Sequence, residues 1–161
     1  MTEACDNVIN KINEKLDSFP LPNKPITFGK AYDFPEDITN VTSMDLGKWM
    51  FRLGAWKGYA LKMLAYAETE LSIIDNLFDA SLAKTLGAME PDKMLKKEAL
   101  IGKALNENEN LKTLKSRVIA KSGEVAGIRR IVEIYTLQLE INSREISRRS
   151  SEVKKQFSTH D

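Results

Sequence analysis

Two long apolar seams, both written in steps of three and four residues, constrain this chain more than any other feature. The first runs Leu46, Trp49, Leu53, Trp56, Ala60, Met63, Ala67, Ile74 and Leu77, with Glu70 as its one gap. The second runs Leu111, Leu114, Val118, Val125, Ile128, Val132, Tyr135, Leu139, Ile146 and Val153, with Lys121, Asn142 and Arg149 as polar interruptions. Such spacing places the side chains along one side of an α-helix as the a/d seam of coiled-coil packing. At 1.5 Å per residue the second arm spans roughly 70 Å. The expected fold is all-α: a long antiparallel, coiled-coil-like helical hairpin. Leu64, Leu71 and Phe78 widen the first seam, and Ile131, Ile134 and Ile141 flank the second. Stripes that wide pack against more than one helix, so these six residues are the expected oligomer or partner interface.

Local signals set the boundaries. Val8, Ile12, Leu16 and Phe19 predict a short amphipathic helix over residues 1–19, stopped by Pro20, Pro22 and Pro25, which lack the amide donor a helix needs. Residues 26–41 carry Phe28, Tyr32, Phe34 and Pro35 without helical period. They read as an extended arm whose aromatics pack on the body or dock a partner. Thr42 and Asp45 have the spacing of a capping box that opens the first long helix. Gly87 and Pro91 mark a break, and residues 92–105 return to helix with Met94, Leu95, Ala99, Ile101 and Leu105 on its apolar side. The hairpin tip lies either there, so that 92–105 extend the second arm, or at the polar run Asn106–Asn110, so that they extend the first. The resulting organisation is a helix and arm over 1–41, the hairpin over 42–157 and a disordered tail over 158–161.

Charge fits the antiparallel pairing. Residues 67–82 contain Glu68, Glu70, Asp75 and Asp79 and no basic side chain, whereas 115–130 contain Lys115, Arg117, Lys121, Arg129 and Arg130 against Glu124. The chain as a whole balances 24 Lys and Arg against 23 Asp and Glu, which excludes a uniformly basic nucleic-acid coat but not a local patch. The single Cys5 forms no internal disulfide, the first twenty residues lack the unbroken apolar core of a secretory leader, and no apolar run has the length of a membrane span. An intracellular, cytoplasmic setting is expected.

Catalytic groups are scarce. His160 is the one histidine and lies in the tail, so neither a zinc site nor a histidine-activated nucleophile is expected, and no metal, cofactor or enzyme activity is predicted. What the hairpin does concentrate is positive charge at its open end: Lys48, Arg52, Lys57 and Lys62 on the first arm, and Arg144, Arg148, Arg149, Lys154 and Lys155 on the second, interleaved with serines. Arginine beside short hydroxyl side chains suits phosphate contacts. Lys48, Arg52, Lys57, Arg144, Arg148, Arg149 and Lys155 are therefore the candidate nucleic-acid contacts. Trp49, Trp56 and Tyr59 lie near enough to stack on unpaired bases, although the seam assigns both tryptophans to the core.

The stretch Lys97–Arg149 reads Lys-Glu-Ala-Leu-Ile-Gly-Lys-Ala-Leu, then Asn-Glu-Asn-Glu-Asn, then a long seam ending in Ile141-Asn142-Ser143-Arg144-Glu145, and it follows an aromatic-rich helix around Lys48-Trp49-Met50. Over about residues 44–150 this resembles the recombination mediator proteins of tailed phages, the UvsY type. Lys48-Trp49, the polar turn and Ser143-Arg144 line up, while the first helix and the Pro-rich arm have no counterpart. The resemblance implies a ring-forming homo-oligomer in the host cytoplasm that binds single-stranded DNA and helps load a recombinase onto DNA covered by single-strand-binding protein. That accessory role is the expected function; near-zero net charge and the aromatic arm also fit an alternative class, a structural or protein-interaction module, such as a scaffold, an assembly chaperone or a host-takeover inhibitor, with no nucleic-acid binding.

Overall fold

Capping and proline chemistry set the helix ends seen in the computed structural model, which describes residues 2–26, 33–89 and 96–158. Among these residues there are four α-helices and no strand: α1 (Thr2–Asp17), α2 (Ser43–Ala88), α3 (Lys97–Glu107) and α4 (Glu109–Ser158), with a 3-10 turn at Ile38–Asn40. The fold is all-α, as the seams require. Thr42 caps α2: its hydroxyl accepts from the Asp45 N–H at 3.2 Å and donates to the Asp45 carboxylate at 2.8 Å. α1 closes with the Ser18 hydroxyl on the Lys15 carbonyl, two residues before Pro20.

The described contacts fall into two compact units, and each long helix contributes to both. Unit 1 comprises Met1–Pro20 with Leu64–Gly127, and unit 2 comprises Leu21–Met63 with Ile128–Asp161. This differs from the division at residue 41. α1 belongs with the middle of the chain and the arm with both ends of the hairpin, because each covers a different stretch of α2 and α4.

In unit 1, Cys5 and Ile9 of α1, Ile74 and Phe78 of α2, Ala104 of α3 and Leu111, Leu114 and Val118 of α4 form one buried cluster. α1 docks by three polar contacts as well: Arg117 with Asp6 at 2.8 Å, Asn13 with Glu70 at 3.3 Å, and the Tyr66 hydroxyl donating to Asp17 at 2.5 Å. That last bond pushes the Tyr66 pKa up to about 12. The buried face of α1 is centred on Cys5 and Ile9, with Ile12 and Leu16 half-buried. Val8 and Phe19, expected on it, are exposed. The helix is rotated so that Asn13 reaches Glu70, and Phe19 lies past its end. Burial raises the Cys5 thiol pKa.

Neither expected position for the hairpin tip holds. Helix breaks after Ala88 and again at Asn108, and the Asn108 amide donates to the Thr85 hydroxyl at 3.3 Å, so the end of α2 lies beside the start of α4. α3 therefore extends neither arm. It is a separate helix in the connection, held by Ala104 and Leu105 against the unit 1 core. Asn108 serves both neighbours: its N–H closes α3 on the Ala104 carbonyl, and its side-chain oxygen caps α4 by accepting from the N–H groups of Asn110 and Leu111. Pro91, Met94 and Leu95 lie outside the described residues.

The seam of α2 is deepest on one row. Leu46, Leu53, Ala60, Ala67 and Ile74, each seven residues from the next, are all buried, whereas Trp49, Trp56 and Leu77 are half-buried and Met63 is exposed. The second row stands at the edge, where other segments cover it: Phe34 of the arm meets Trp49 edge-on at 5.5 Å in unit 2, and Asn13 of α1 meets Glu70 in unit 1. Phe28 and Tyr32 lie outside the described residues.

The polar breaks in the two seams answer one another. In unit 1 Lys121 fills the Glu70 gap with an ion pair at 2.7 Å. Burial disfavours the charged Lys121, but its bonds to Glu124 and Glu70 outweigh that and hold its pKa above the ordinary value. In unit 2 Asn142 donates to the Leu46 carbonyl at 2.9 Å, and Arg149 reaches the Ser43 hydroxyl at 3.3 Å. In both units α2 and α4 thus run antiparallel. The block of opposite charge contributes less than its size suggests. Lys121 crosses to Glu70, but Arg117 turns to α1, Lys115 sits over the Phe78 ring at 5.0 Å, and Asp75 and Asp79 stay exposed.

Candidate functional site

Asp37 builds the floor of the basic end. Its carboxylate accepts from the Thr39 N–H at 2.9 Å, the Thr39 hydroxyl and the Asn40 amide, which folds the 3-10 turn and lowers the Asp37 pKa. The turn's carbonyls at Ile38 and Thr39 then receive the Arg149 guanidinium at 3.4 and 3.0 Å. From its other side Arg149 bonds Glu145 at 2.6 Å, and Arg148 grips the same carboxylate with two nitrogens at 2.7 and 2.8 Å. Glu145 is buried, and the two arginines, Arg148 foremost, hold its pKa down to about 2. Arg148 also pairs with Glu152.

This arrangement latches the arm to α4, and it alters the expected site. The chain does bring its two basic stretches together, since Arg149 reaches Ser43 and Asn142 reaches Leu46. Arg149, however, is a structural cross-brace with only 22% of its side chain exposed. Arg148 has both ends of its guanidinium on carboxylates. Lys48 is paired with Asp45 at 2.8 Å. Arg52 lies over the Trp49 ring at 5.4 Å, Lys57 is half-buried, and Lys155 is exposed in the last turns of α4. The Arg144 side chain is 83% exposed, with Glu140 3.8 Å away. Net charge still favours this unit: 13 Lys and Arg against 9 Asp and Glu give +4 in unit 2, where 11 against 14 give −3 in unit 1.

Because the Glu145 pKa is lowered, the latch contributes fully above the ordinary carboxyl value of 4.5 and is lost as pH falls from there toward 2. Glu145→Gln should therefore lower Tm by several degrees at pH 7, and its gap from the wild type should close across that window. A gap independent of pH between 7 and 2 would contradict the latch.

The expected apolar interface divides. Phe78 is buried and Leu71 packs against the unit 1 core, so both are interior residues, and Leu64 is half-buried. On α4 of unit 2, Ile131, Ile134 and Ile141 are exposed as expected, and Leu137 joins them at 58%. Leu137 was legible as the next step of three after Ile131 and Ile134. Sequence reasoning also missed a patch on α2. Phe51 is 84% exposed and Met44 69%, and Met50, Phe51, Gly54 and Ala55 line a shallow apolar depression. Met44, Phe51 and Ala55 lie opposite the seam, on positions that a search for the core passes over. Nearby, Trp56 and Tyr59 meet edge-on at 6.3 Å, both half-buried.

Among the described residues no group of three or more His, Cys, Asp or Glu is placed to hold a metal ion, and no helix is long and apolar enough to cross a membrane. Compared with protein-family models, curated proteins and solved structures, the chain matches none.

Proposed function

We propose that this protein is a non-enzymatic helical interaction module of the cytoplasm, which uses the outer face of α4 in unit 2 to bind another helix. The observation that carries this reading is a contrast within one end of the hairpin. Ile131, Ile134, Leu137 and Ile141 stand exposed together on α4, while Arg148 and Arg149 are engaged by Glu145. Contiguous exposed aliphatic side chains are costly to leave in water and mark contact surfaces. Arginines already held by a carboxylate must break that pair before they take a phosphate.

A second reading, a single-stranded-DNA-binding mediator of phage recombination that helps load a recombinase, draws support from a different observation. Arg52 lies on the half-buried Trp49 ring beside Phe34, and Arg144 extends into solvent within a unit of net charge +4. Aromatic and guanidinium planes of this kind stack on unpaired bases.

Titration of a fluorescent single-stranded oligonucleotide at two salt concentrations separates the two. The interaction module gives no saturable binding at low salt. Saturable binding that weakens steeply with salt, and that is lost in Arg52→Ala with Arg144→Ala while helicity is kept, would replace it with the mediator reading.

A further inference from the structure

We propose that the helix bound by this face is α4 of a second copy, packed antiparallel so that Arg130 of each copy meets Glu140 of the other. The inference rests on the interaction-module reading and names its partner. At 100° per residue, Ile131, Ile134, Leu137 and Ile141 fall within about 120° of the helix circumference, and Arg130 projects inside the same arc. Glu133, Glu140 and Arg144 lie along one rim of it. The charges run basic, acidic, acidic, basic from Arg130 to Arg144, so these four cancel, and an antiparallel copy brings opposite charges together only when it is offset from the middle of the row. The pairs within the helix, Arg130 with Glu133 at 2.8 Å and Arg144 with Glu140 at 3.8 Å, are solvent-exposed and exchange partners at little cost.

One antiparallel register satisfies both charge and shape. With the two-fold axis beside Tyr135, position 130 lies across from 140, and the symmetry makes that pair twice. In the same register the four apolar side chains of one copy fall at heights left open by the four of the other, so the two rows interleave. A register centred on Leu137 would instead place Arg130 against Arg144. A contact region of about ten residues is roughly 15 Å long, below the size of a permanent interface, so the dimer forms and dissociates with concentration.

Sedimentation velocity on the full chain between about 1 and about 100 µM tests this. The wild type should shift from monomer to dimer. Ile134→Asp should remain monomeric with unchanged helicity, because residue 134 is exposed. Arg130→Glu and Glu140→Arg should each weaken the dimer about tenfold, and the double variant should recover it. A wild type that stays monomeric, or a dimer indifferent to Ile134→Asp, overturns self-pairing through this face. Loss of the dimer in Ile134→Asp without rescue by the charge exchange overturns the register. Neither result touches the interaction-module reading, which stands or falls on the nucleic-acid titration.

Discussion

Leu53→Ala is expected to cost about 2–5 kcal/mol, enough to remove a large part of the stability of a domain this size. Leu53 is fully buried in the row of α2 that faces α4, and its neighbours in that row, Leu46 and Ala60, are buried too. Shortening it removes the transfer energy of its outer carbons and leaves a void that two long, continuous helices cannot easily close. Both tryptophans, Trp49 and Trp56, belong to unit 2, so indole fluorescence followed through a denaturant titration reports on the unit that the substitution weakens. A lower fluorescence midpoint is the expected result. An unchanged one would contradict the placement of Leu53 in the core.

Asn142→Asp is expected to destabilise by about 3 kcal/mol or more. Asn142 has no exposed surface, gives its amide to the Leu46 carbonyl, and has a side-chain oxygen with no protein partner. Aspartate at that position offers no donor at neutral pH and sets a buried carboxylate against a carbonyl. Desolvation raises the pKa of such a carboxyl, so the penalty sets in as pH rises past the unfolded value of about 4 and fades below it. Asn142→Leu should behave oppositely. It removes the orphaned oxygen and should hold or raise Tm, while giving up the polar contact that marks the α2–α4 register. Thermal melts of the three proteins at pH 7 and at pH 3 check both claims. The order leucine, asparagine, aspartate at pH 7, with aspartate recovering in acid, is expected.

The sequence reading captured what repeats along the chain. Seven-residue spacing identified both long helices and the row Leu46–Leu53–Ala60–Ala67–Ile74, Thr42 marked where α2 starts, and the exceptions Glu70, Lys121, Asn142 and Arg149 fell where the helices contact across the hairpin. It captured less of what depends on a third element. That Trp49 stands at the edge of the core follows from Phe34 of the arm sharing the work of cover, which a two-helix pattern does not include. The helix between Gly87–Pro91 and Asn106–Asn110 was legible, but not that it stands apart from both arms as α3, because using both breaks requires a core for the helix between them. The basic end misled for a different reason. Summing charge treated Arg148 and Arg149 as available, whereas their spacing of three and four from Glu145 brings all three groups together on one side of α4.

Unit 2 pairs two stretches far apart in the chain, Leu21–Met63 and Ile128–Asp161, whereas the long-helix part of unit 1 is the continuous stretch Leu64–Gly127, and this order has a kinetic consequence. The Thr85–Asn108 bond closes a separation of 23 residues, and the Asn142–Leu46 bond one of 96. Loop-closure entropy rises by about 0.6 kcal/mol per doubling, so closing the long separation first costs roughly 1.2 kcal/mol more than starting at the short one. Folding is therefore expected to zip outward from the junction of α2 and α4. On the ribosome, the first half of α2, with Leu46, Trp49 and Leu53, waits unpaired until residue 142 has left the exit tunnel. The chain thus spends the longest part of its synthesis with its most apolar helix open, an interval in which a holdase or a neighbouring nascent copy has first access to it.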